Sequence, residues 1–129
     1  NGFTTAGLEG ATVPNHMLEH PLSAIHDVPH GAGLAVIFPT WLEYKAEEIK
    51  HRIIQFGRKI LDFDGSTTAI IERFKQWINK IGCPLKLGEL GIIDPDYEEL
   101  TKQAMVLQKL WNVPGYSEND IRHIYRRSN

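Results

Sequence analysis

The stretch AGLAVIFPTWLEY, residues 32–44, is apolar on nearly every side of a helical wheel. A helix of that length without a polar face has to lie at the centre of a bundle, because one neighbour covers only one side of it. The rest of the chain must therefore supply the amphipathic helices that surround it. Pro39, in its middle, is expected to bend it.

The surrounding helices are legible from their periodicity and their breakers. Residues 12–26 begin with Pro14 where a first helical turn favours proline, and Asp27-Val28-Pro29 ends the segment. Pro21 should kink this helix or mark its true start. Residues 46–63 carry Ile49, Ile53, Phe56, Ile60 and Leu61 on one stripe. Ser66 is placed to cap the next helix, whose apolar positions are Ile70, Phe74, Trp77, Ile78 and Ile81, before the stop Gly82-Cys83-Pro84. Residues 85–93 read as a connecting loop that turns at Gly88 and Gly91. Pro95 is expected to open a helix that runs toward Leu110. Ser117, three residues before Asp120, resembles a capping box for a last helix carrying Ile121, Ile124 and Tyr125. Strand-like alternation is nearly absent, so the fold class is all-α, a helical bundle.

Composition narrows the function classes. At 129 residues the chain suits a single domain. Its 14 Lys and Arg against 16 Asp and Glu give a formal charge of −2, with no basic surplus to recommend nucleic acid or an anionic membrane. A small molecule or a protein is the expected partner. No apolar run is long enough for a membrane span, and the start Asn-Gly-Phe-Thr-Thr has no basic and apolar leader pattern. The single cysteine, Cys83, cannot form an internal disulfide, which fits a reducing compartment and an inert thiol; cytoplasmic location is the expectation. The first residue is not Met, and the chain reads as a piece of something longer.

Histidines carry the chemistry. Four of the six, His16, His20, His26 and His30, fall within the segment HMLEHPLSAIHDVPH. His16 and His20 are four residues apart and would stack on one helix face. With Glu19 between them they also match H-x-x-E-H, the order in which two histidines bind zinc and a glutamate acts as base in a class of peptidases. Pro21 directly after the second histidine disturbs such a helix, and no third ligand is evident, which disfavours that alternative.

The other pairing is His16 with His30. On one straight helix they would lie about 21 Å apart, too far to share an ion. If the helix stops near His26 it has advanced only about 15 Å, and extended residues 27–30 can return roughly 13 Å of that. Gly31 and Gly33 would then let the following helix approach closely. Another alternative is a non-enzymatic helical module in which these histidines are structural. His51 and His123 sit on polar helix faces and are expected to be solvated.

The segment HMLEHPLSAIHDVPHGAGLAVIFPTWLEY closely resembles the metal-binding signature of the iron-containing (group III) alcohol dehydrogenases, in the butanol dehydrogenase-like branch. The matching elements are His16, then His20-Pro21-Leu22-Ser23-Ala24, then Pro29-His30-Gly31 and Pro39. The likeness extends more loosely over Ile81-Gly82-Cys83-Pro84, the Leu87 to Ile92 loop and the closing helix.

It implies that residues 1–129 are the C-terminal metal-binding helical domain of a dehydroquinate synthase-like fold, following a nucleotide-binding α/β domain not in this sequence. It further implies Fe²⁺, or Zn²⁺ in some members, held by His16 and His30 with an Asp and a His from upstream. His20 would lie beside the metal and the nicotinamide, as a catalytic and cofactor-positioning residue; His26 would line the cleft.

The implied reaction interconverts a small alcohol and its aldehyde by hydride transfer with NAD(P)H. The cation stabilises the deprotonated alcohol in one direction and polarises the carbonyl in the other. The full-length enzyme would be a homodimer or larger. Gly7-x-x-Gly10 and Gly31-x-Gly33 lack the strand–turn–helix setting of a phosphate-binding loop, so NAD(P)H would bind mainly to the absent domain, and the isolated chain should be inactive.

Overall fold

A computed structural model describes residues 12–129, and within them every regular element is helical. The Gly7 and Gly10 pair lies outside the described residues. Six α-helices follow in order: α1 Pro14–His26, α2 His30–Tyr44, α3 Lys50–Ile60, α4 Thr67–Lys80, α5 Tyr97–Leu110 and α6 Glu118–Arg127. One 3₁₀ turn, Leu87–Leu90, lies between α4 and α5.

The termini show where local chemistry decided and where the apolar pattern misled. Pro14 opens α1, and the helix runs on through Pro21 as a single element. It stops at Asp27, whose φ of 53° is left-handed and whose N–H bonds back to the Ser23 carbonyl. Pro29 then precedes α2, so His30 occupies the first helical position and α2 begins two residues before the apolar run.

The start of α3 is corrected in the opposite direction. Residues 45–49 form turns, with Lys45 paired to Glu48, and the helix begins at Lys50 rather than at 46. It ends at Ile60, short of 63, where Phe63 N–H bonds to the Gly57 carbonyl. Ser66 caps α4 as expected, accepting from Ala69 N–H at 3.2 Å. Pro95 does not open α5: Asp96 caps it, accepting from the amides of Glu98 and Glu99. Ser117 and Asp120 form the full capping box of α6.

α2 lies at the centre, packed against α1, α4, α6 and the 3₁₀ turn. It separates two cores. One joins α1, α2, α5, α6 and the 3₁₀ turn through Met17, Leu18, Leu22, Ile37, Leu100 and Ile121. Tyr125 is fully buried within it and donates its hydroxyl to the Leu18 carbonyl at 2.6 Å; burial pushes its phenol well above the ordinary value. The other core joins α2 to α3 and α4 through Leu42, Ile53, Ile70, Phe74 and Ile78. Ile60, Trp77 and Ile81 lie on the expected apolar stripes but are largely exposed, as is part of Phe38 on α2.

Candidate metal centre

The reversal at Asp27 to Pro29 sets the site. It ends α1 within one turn of its last histidine and starts α2 back alongside, so the first residue of α2 faces the first turn of α1. The Nε2 of His30 lies 3.0 Å from the Nδ1 of His16. The ring of His20 is 5.1 Å from that of His30 and 6.3 Å from that of His16. All three residues offer a ligand nitrogen, and these nitrogens lie within 4.8 Å of one another. His16 is half-buried, and His20 and His30 are exposed, so the cluster opens to one surface of the bundle. Desolvation, followed by the neighbouring His30 and His20, holds the His16 imidazole below its ordinary value of 6.5. Its neutral, lone-pair-bearing form is favoured.

Beneath the cluster is Glu19, which is fully buried. His30 Nδ1 pairs with one of its carboxylate oxygens, and the Ser23 hydroxyl lies 2.5 Å from the other. The same hydroxyl is 3.0 Å from the Val28 carbonyl. Gly33 of α2 passes directly over this carboxylate, and a Cβ at that position would overlap Glu19. Gly31, by contrast, has open space where its side chain would be, so the expected close approach belongs to Gly33 alone.

Several sequence readings are resolved by these positions. Glu19 cannot act as an exposed base in an H-x-x-E-H peptidase, because both its oxygens are engaged inside the bundle. His26 does not join the cluster; it lines a separate depression with Val28, Pro29, Gly82 and Pro84. His51 and His123 are exposed. Trp111, at the C-terminal end of α5, packs perpendicular to His20 with 5.0 Å between ring centres. Spacing alone marks neither Trp111 nor Ser23 as part of a site, because each reaches it through the tertiary fold.

The chain matches the Fe-containing alcohol dehydrogenase family, C-terminal, over residues 4–129. It belongs to the iron-containing alcohol dehydrogenase family. Within that family it is 33% identical over 97 residues to NADH-dependent butanol dehydrogenase A of Clostridium acetobutylicum, covering 70% of this chain and 25% of that protein. The crystal structure of NADH-dependent butanol dehydrogenase A from Thermotoga maritima superposes with a TM-score of 0.87 at 31% identity, over 99% of this chain and 35% of that one. The aldehyde reductase YqhD of Escherichia coli shares the fold, with a TM-score of 0.75 at 23% identity. The chain thus spans between a quarter and about a third of the length of these relatives. Its all-helical architecture is that of the family's C-terminal domain. No helix among the described residues is long and apolar enough to cross a membrane.

Proposed function

We propose that residues 1–129 are the metal-binding half of an NAD(P)-dependent alcohol dehydrogenase that interconverts a small primary alcohol and its aldehyde. The observation that carries this reading is the 3.0 Å approach of His30 Nε2 to His16 Nδ1 across a chain reversal, with His20 beside them. Imidazole nitrogens gathered this way suit Fe²⁺ or Zn²⁺, so the residues present fit such an ion. His16 and His30 would hold it, completed by an Asp and a His from the preceding half of the enzyme.

When bound, the cation supplies the positive charge that eases loss of the alcohol proton and polarises the aldehyde carbonyl. His16 and His30 fix where that charge sits. His20, exposed at the mouth of the cluster and perpendicular to Trp111, is placed to hydrogen-bond a substrate hydroxyl or the nicotinamide carboxamide and so orient the reacting carbon. The names of the relatives support a nicotinamide reductant, NADH for the butanol dehydrogenases and NADPH for an aldehyde reductase of Escherichia coli.

Butanal-dependent NAD(P)H oxidation by the full-length enzyme carrying this domain tests the proposal. His16→Ala and His30→Ala should abolish turnover and lose the metal, while His20→Ala should retain metal and lower kcat by roughly 10²-fold. The isolated 129-residue chain should show no turnover. Full activity in His16→Ala or His30→Ala, or turnover by the isolated chain, would overturn it.

A further inference from the structure

We propose that Glu19 is the positioning residue of the imidazole cluster: it fixes the tautomer of His30 and leaves Nε2 as the bare nitrogen facing His16, with Ser23 holding the carboxylate in place. The inference rests on the metal reading of His16 and His30 and assigns a role to a residue outside the ligand pair.

A carboxylate with no solvent exposure is costly to bury unless its oxygens are satisfied. Among the described residues each oxygen has a side-chain partner. The first pairs with His30 Nδ1, and for an ionised carboxylate, which only accepts, this nitrogen must carry the proton. Nε2 of the same ring is then unprotonated, and it points at His16 Nδ1 from 3.0 Å. The second oxygen accepts from the Ser23 hydroxyl, 2.5 Å away; the Val28 carbonyl, 3.0 Å from the same hydroxyl, is the alternative acceptor for its single proton.

The enclosure leaves the carboxylate no alternative place. Gly33 covers it so closely that even a methyl group would collide with it, and the fully buried Leu18 and Leu22 lie on the same helix. The two ends of the arrangement are thereby linked. The left-handed turn at Asp27 brings His30 over α1, and Glu19 selects which of its two nitrogens is offered outward. Histidines that bind metals commonly donate their second ring N–H to such a carboxylate, which sets ring orientation and raises ligand basicity.

Long-range ¹⁵N–¹H NMR of the imidazoles in the metal-free 129-residue chain, at alkaline pH, reads the tautomer directly. Wild type should show His30 as the Nδ1–H tautomer. Glu19→Leu, which removes the acceptor, should shift His30 toward Nε2–H, whereas Glu19→Gln, whose amide oxygen still accepts, should restore Nδ1–H. Zn²⁺ titration of the same samples should show affinity falling about 10–100-fold in Glu19→Leu, with Ser23→Ala intermediate. A wild-type His30 in the Nε2–H form overturns the proposal even if Glu19→Leu fails to fold. So does a folded Glu19→Leu with tautomer and affinity unchanged. If His16→Ala and His30→Ala leave Zn²⁺ affinity untouched while Glu19→Leu still shifts the tautomer, the metal reading falls and the positioning role stands.

Discussion

Met17, Leu18, Leu22, Val36 and Ile37, where α1 meets α2, are wholly withdrawn from solvent, whereas in the core that joins α2 to α3 and α4 no side chain reaches zero exposure and Leu42 and Phe74 lie near its edge. Both halves leave apolar side chains on their outer faces, Val106 and Leu110 on α5 as much as Ile60 and Trp77, and they differ in the depth of the core beneath. The imidazole cluster stands on the deeper core. Holding two ligand nitrogens at fixed separation requires side chains whose rotamers are locked from below, which the deeper core provides. The only fully buried carboxylate among the described residues, Glu19, is also in that half.

Changes should cost in the order of the burial they disturb. Leu100→Ala, in the deeper core, should lower stability by about 2–5 kcal/mol in urea unfolding. A loss below that range would mean that the core is less well packed than its burial indicates. Gly33→Ala comes next, at about 1–3 kcal/mol, since the new methyl must displace the Glu19 carboxylate. It should also disturb the His30 NMR signals, and unchanged signals would separate Gly33 from the site. Ser117→Ala removes the hydroxyl that caps α6 and should cost about 1 kcal/mol. Ile60→Ala, on the exposed outer face of α3, should stay within about 0.5 kcal/mol. A cost for Ile60→Ala approaching that of Leu100→Ala would mean that the outer face of α3 is covered.

What could be read from sequence follows the range of the interaction. The stops and caps at Asp27, Ser66, Ser117 and Gly82 act within a few residues, and the helices they bound lie where those residues put them. The start of α5 departs from the proline expectation because Asp96 offers a carboxylate to two helix amides. The beginning of α3 lies later than its periodicity suggests because an apolar stripe at helical spacing continues through residues that form turns. Periodicity marked the face bearing Trp77 and Ile81 but not whether anything covers it. At the site, spacing and the breakers brought His16 and His30 together. The burial of Glu19 depends on Gly33 arriving overhead from the next helix, and the approach of Trp111 to His20 depends on where α5 ends, neither of which a local pattern contains.

The central claim is that His16 and His30 share one cation. An anomalous-scattering map from crystals of the protein grown with Zn²⁺ or Fe²⁺ tests it most directly. The account predicts one strong peak bonded to His16 Nδ1 and His30 Nε2, with the opposite nitrogen of His30 still on Glu19. A peak bonded elsewhere, or an ion on His16 and His20 that leaves His30 uncoordinated, would contradict it.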